Sequence, residues 1–149
     1  MWFLWIFGDN IEDILGHAKF LLFYLLCGFA AAGAQYLGDP GSRVPMVGAS
    51  GAIAGVMGAY LIKFPHSRIH TLVFIFFFIT TVEVPAWLML IFWFFIQFFN
   101  GVGAIGYSHA SQGGGVAFLA HVGGFLAGMA LVFLLVPRQR YTKRQDLYW

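Results

Sequence analysis

Charge is what this sequence lacks most. Of its 149 residues only 9% are Asp, Glu, Lys or Arg, against roughly 25% in a soluble domain. That is too little to cover a water-facing surface, which excludes an ordinary water-soluble enzyme. The net charge of +2 offers no basic footprint, and the 18 Phe residues lie in apolar runs without interleaved Lys or Arg, so nucleic acid is excluded as a partner. A single cysteine, Cys27, allows neither an internal disulfide nor a cysteine metal site. His66, His70 and His109 lack metal-ligand spacing, and no cofactor motif is present, so neither a metal nor a cofactor is expected. No internal repeat and no linker rich in Pro or Ser divides the chain, which reads as one domain.

What is abundant is apolar surface: 60% of residues are hydrophobic and 19% aromatic. A membrane helix needs about 20 mostly apolar residues to cross ~30 Å of hydrocarbon. Four stretches fit, at about 18–37, 44–62, 84–102 and 115–137, so the predicted fold class is an all-α multi-pass membrane protein. Residues 1–7 are apolar but would rise only ~10 Å as a helix, and they read as the partial end of a helix whose start lies upstream. Residues 69–82, rich in β-branched and aromatic types, read as a re-entrant or interfacial segment. Arg138, Arg140, Lys143 and Arg144 make 138–149 a basic tail, which predicts a cytoplasmic C-terminus. Lys63 and Arg68 fall on the same side if 69–82 does not cross.

Polar groups inside membrane segments are costly and usually face the bundle interior. Ser50 lies in Gly48-Ala49-Ser50-Gly51, and His121 in Ala120-His121-Val122-Gly123-Gly124. Ser50 is six residues past Val44, or ~9 Å into its span, and His121 is eight past Gly113, or ~12 Å into its own. Both spans run in the same direction, so the two groups sit at matching levels. His121, Gly124 and Gly128 share one helical face, while Gly48, Gly51, Gly55 and Gly58 form a second small-residue stripe. Small residues at this spacing let membrane helices approach closely. Each feature also has a plain structural reading: serine bonding a backbone carbonyl, histidine as a relay or packing group, glycines as packing alone. Periodicity leaves these readings open.

Taken together, Gly48-Ala49-Ser50-Gly51 and, about seventy residues on, Ala120-His121-Val122-Gly123-Gly124 with Gly128 resemble the rhomboid family of intramembrane serine proteases. Trp2-Phe3-Leu4-Trp5 with the acidic stretch from Asp9 to Asp13 looks like the end of that family's second core helix and its following loop. Glu83-Val84-Pro85-Ala86-Trp87 resembles the start of its fifth. The resemblance covers essentially the whole chain and implies a rhomboid-like bundle lacking the first core helix and the start of the second, with Glu12 and Asp13 capping or tethering the first loop.

The resemblance further implies a Ser-His dyad, with Ser50 as nucleophile and His121 as general base. Backbone support for the oxyanion would come from Gly48, Ser50 and Gly51, and helix packing at the site from Gly55, Gly124 and Gly128. Expected partners are membrane-protein substrates within the lipid bilayer. Trp87, Phe92, Trp93, Phe94 and Phe95 would form an aromatic wall on the helix past which substrate enters, with Trp87, Phe92 and Trp93 at the lateral gate, beside a Gly-rich outer loop at 100–115. Two departures stand out. The family's side-chain oxyanion donors, a His and an Asn, would fall upstream of Met1, and losing one such donor typically costs ~10²–10³ in rate. Some members also carry an aromatic residue beneath the histidine ring, where this chain has Ala54, so something else must orient the imidazole. The competing expectations are a rhomboid-like binder that does not cut, a truncated inactive fragment, and a transporter or channel piece using His121 as a proton relay.

Overall fold

The computed structural model describes residues 1–41, 45–75, 78–107 and 116–136. In chain order these form α1 (Trp2–Leu15), α2 (His17–Gly38), α3 (Ser50–Lys63), β1 (Arg68–Ile75), β2 (Phe78–Pro85), α4 (Ala86–Tyr107) and α5 (Phe118–Leu135). Among the described residues three helices are long and apolar enough to cross a bilayer: His17–Gly38, Ala86–Gly103 and Phe118–Leu135. This is the multi-pass helical fold class expected from the sequence. The expected basic tail at 138–149 and residues 108–115 of the expected Gly-rich loop lie outside the described residues, while residues 100–107 of that loop are instead the last turns of α4.

The helix α3 is the hub. Its 14 residues rise only ~21 Å, yet everything from Ala54 to Tyr60 is buried. A helix that is apolar all round belongs inside a bundle, and α1, α2, α4 and α5 surround it. Phe7, Phe23, Cys27, Met57, Leu90, Phe125 and Val132 complete the core.

The glycine stripes are what bring α2, α3 and α5 so close. A methyl group added at Gly124 would stand 2.0 Å from the Gly51 carbonyl oxygen, and one at Gly128 would stand 1.9 Å from that of Gly55. At Gly58 it would lie 2.1 Å from the Phe125 oxygen. From the other side, Gly51 faces the Ala31 methyl and Gly55 faces Cys27 on α2. The paired positions advance together along α3 and α5, from Gly51 with Gly124 to Gly55 with Gly128 and on to Lys63 with the Phe133 ring. Those two helices are therefore parallel. Along α2 the order reverses, so α2 runs antiparallel to both.

Three expectations need correction. The 1–7 piece continues through the acidic stretch as α1, because Phe7, Ile11 and Leu15 point inward at four-residue spacing while Asp9 and Asp13 stay exposed. Gly16, at φ 78°, then turns the chain into α2, a backbone conformation that a side chain would strain. The Glu12 main-chain carbonyl accepts from the Gly16 N–H, and its carboxylate meets the His17 ring.

Second, residues 69–75 and 78–82, expected as a re-entrant or interfacial segment of an all-α chain, are strand. They make most of an antiparallel hairpin pairing Arg68 with Pro85 through Ile75 with Phe78. Thr, Val, Ile and Phe dominate both strands, and these types favour a pleated surface. The Ala86 N–H bonds the Ser67 carbonyl at 2.7 Å, which locks the base of the hairpin to the start of α4.

Third, the helices placed at 44–62 and 115–137 begin later, at Ser50 and Phe118. Gly48 adopts φ 128°, outside helical space, and so delays α3 to Ser50. Ser50 is the first residue of its helix rather than lying ~9 Å along it.

Candidate active site

The late start of α3 determines what Ser50 can do. It stands at the helix N-terminus, exposed, where the first backbone N–H groups have no acceptor within the helix and carry the positive end of its dipole. The first bond of the turn, from the Ile53 N–H to the Ala49 carbonyl at 3.1 Å, leaves the N–H groups of Ser50 and Gly51 ahead of the ladder.

His121 occupies the first turn of α5, with its own N–H bonded to the Ala117 carbonyl at 3.3 Å. Because α3 and α5 are parallel and their glycine faces touch, the two side chains meet at one end of the bundle. The His121 Nε2 lies 2.9 Å from the Ser50 Oγ. Matching levels and a shared glycine contact were the sequence expectation, and the structure brings the pair together.

Two glutamines flank the histidine, and the sequence reading overlooked both. On α4, the Gln97 Oε1 lies 2.9 Å from the His121 Nδ1, so the imidazole is held at both nitrogens. On α2, the Gln35 Oε1 accepts from the Ala120 N–H at 3.3 Å, satisfying a donor that α5 itself leaves open. The signal was available. Each glutamine is a polar side chain within an apolar run, the same oddity that singled out Ser50 and His121.

The aromatic wall divides. Ala86, Leu90 and Gln97 are buried and Trp93 half-buried, so one face of α4 turns inward. Trp87 (43% exposed), Phe92 (65% exposed) and Phe95 point outward, as a lipid-facing wall would, whereas Phe94 is half-buried with its ring centroid 4.9 Å from that of Phe125. Trp93 leaves that wall: its ring centroid is 5.7 Å from that of His121 and 6.1 Å from that of Phe125. It packs against the imidazole that Ala54, fully buried on α3, is too small to support. Gly55, Gly124 and Gly128 lie at the helix contact, as expected, and Gly48 at the bend before the serine.

A rhomboid domain family profile matches residues 1–138, and the chain belongs to the rhomboid family. It is similar to the human presenilin-associated rhomboid-like protein, mitochondrial, at 38% identity over 71 residues, which cover 46% of this chain and 19% of that protein. It is similar to Rhomboid protein 1, mitochondrial, of Saccharomyces cerevisiae at 28% identity over 149 residues, or 95% of this chain and 39% of that protein. It is also similar to Rhomboid protease GluP of Bacillus subtilis, at 41% identity over 58 residues covering 39% of this chain and 11% of that protein. The chain thus spans well under half the length of these relatives. No solved structure matches it.

Proposed function

We propose that the chain is an intramembrane serine endopeptidase that cuts membrane-spanning substrates through Ser50 and His121. The observation that carries this reading is the 2.9 Å approach of the His121 Nε2 to the Ser50 Oγ. A hydroxyl is a weak nucleophile until an adjacent base takes its proton. Neutral imidazole does this near pH 7. Ser50 attacks the scissile carbonyl, and its proton passes to Nε2. The tetrahedral intermediate collapses with C–N cleavage as His121 returns the proton to the departing amine. Water, activated by the same nitrogen, then hydrolyses the acyl-serine.

The negative oxygen of the intermediate needs donors where charge develops. The N–H groups of Ser50 and Gly51, at the start of α3 and ahead of its hydrogen-bond ladder, are suitable ones. Hydrolysis requires water, and the exposure of Ser50 at one end of the bundle supports access to it. Entry past α4 would present a substrate helix to this end, with Trp87 and Phe92 on the lipid side. In this reading the chain is an integral membrane protein with its C-terminus cytoplasmic and the dyad toward the opposite face. Membership of a family whose members include one named a protease adds support.

The test is cleavage of a single-span reporter in liposomes by the full chain and by Ser50→Ala. The expected result is loss of cleavage in the variant. Cleavage at an unchanged rate would overturn the assignment, and binding of the reporter without any cleavage by the parent chain would favour a non-proteolytic binder.

A further inference from the structure

Gln97 is the only buried amide or charged side chain among the described residues, at 8% exposed, and the reaction just described gives it no part. A buried amide in an apolar helix is costly unless its hydrogen bonds are used. Its oxygen is used on one atom, the His121 Nδ1, at 2.9 Å. An amide oxygen only accepts, so Nδ1 must carry the proton. A neutral imidazole has one N–H, so Nε2 is then left with its lone pair, facing the Ser50 Oγ. Which ring nitrogen acts as base is set by the bond that the other one makes.

We infer that Gln97 is the positioning residue of this site: it holds His121 as the Nδ1–H tautomer, with Nε2 aimed at Ser50. The inference rests on the proposed proteolytic reading and names how its base is prepared. Trp93, one turn earlier on α4, lies against the same ring, so α4 restrains the imidazole on an edge and beside a face. An amide suits this place because it accepts from neutral imidazole and, more strongly, from the imidazolium that forms during reaction. A carboxylate would add a second charge inside an apolar bundle.

The test compares the full chain with Gln97→Met and Gln97→Glu in bicelles. The readouts are the thermal midpoint, kcat and KM on a single-span reporter, and the rate at which a fluorophosphonate probe modifies Ser50. Gln97→Met keeps the volume but leaves a ring N–H without its acceptor. It is expected to lower kcat and the labelling rate by about 10-fold or more, with KM within about twofold. Gln97→Glu is expected to retain labelling and to move the acid limb of its pH profile upward, because a carboxylate on Nδ1–H favours imidazolium. Ser50 on α3, Trp93 on α4 and Gln35 on α2 bring no charge to this place, so that shift reads the new carboxylate.

A Gln97→Met protein with parental kcat overturns the inference. So does one whose losses are wholly accounted for by a lower folded fraction. Should the Met variant fail to fold, an unmoved acid limb in Gln97→Glu overturns it instead. With Ser50→Ala in parallel, cleavage abolished there but untouched in Gln97→Met defeats only the role of Gln97. Cleavage surviving Ser50→Ala defeats both.

Discussion

Replacing Gly128 with alanine probes the helix contact on which the Ser50–His121 distance depends. The new methyl would stand 1.9 Å from the Gly55 carbonyl oxygen and 2.5 Å from its carbonyl carbon. Both are backbone atoms of a packed helix, so no rotamer change relieves the clash. Ordinary contact requires α3 and α5 to part locally by about 1.5 Å. Overpacking costs ~1–3 kcal/mol in general, and a rigid backbone neighbour places this substitution near the top, at about 3 kcal/mol. Parting the helices also stretches the 2.9 Å Oγ···Nε2 approach beyond hydrogen-bond reach, and a 1 Å misplacement can cost about 10²-fold in rate. Gly128 lies two helical turns from His121, so the substitution acts through the interface alone. The assays are thermal unfolding in bicelles and the rate of fluorophosphonate labelling at Ser50. Gly103, exposed on α4 with nothing within 4 Å of an added methyl, is the control. Its alanine variant is expected to be neutral or more stable by up to ~1 kcal/mol. Parental stability and labelling in Gly128→Ala, or equal damage in Gly103→Ala, would refute the close-contact argument.

Other consequences are open to direct measurement. Phe125, 2% exposed and packed between Trp93 and Phe94, should cost ~3–5 kcal/mol on replacement by alanine, read by thermal unfolding; a change below 1 kcal/mol would contradict its core placement. Cys27, completely buried against Gly55, should resist a maleimide in the folded protein and react after denaturation, as followed by intact mass. On the hairpin, the Arg68 guanidinium 2.9 Å from Glu83 holds that carboxyl below the usual glutamate range. Its stabilising effect is therefore full above the ordinary glutamate value and fades as pH falls through the lowered one. Thermal scans should show a small gap between parent and Glu83→Gln at neutral pH that closes in acid; a gap that widens in acid would reverse the sign.

How much of this was legible in the sequence follows from which forces act locally. The apolar stretches, the glycine faces and the Ser50–His121 match were readable because membrane thickness and helical period translate directly into residue spacing. The hairpin was not. A continuous apolar run carries no period, and the run from Arg68 to Pro85 has no Asn-Gly or Asp-Gly turn to announce two strands. The start of α3 was misplaced because apolarity marks what lies in a membrane, whereas the backbone angle of Gly48 sets where the helix begins. Trp93 was assigned to the lipid wall with its neighbours, since aromatic content does not reveal which face of α4 meets α5. Gln97 was missed for lack of charge, although its place inside an apolar helix carried the same message as that of His121.

The most direct measurement of the central claim is the location and origin of a covalent adduct. Treat the full chain and its His121→Ala variant with a fluorophosphonate and map the modified peptide by mass spectrometry. If Ser50 is a nucleophile activated by His121, the adduct lies on Ser50 in the parent chain and is strongly reduced in the variant. An unmodified Ser50 in the folded parent, or equal modification without the imidazole, would contradict it.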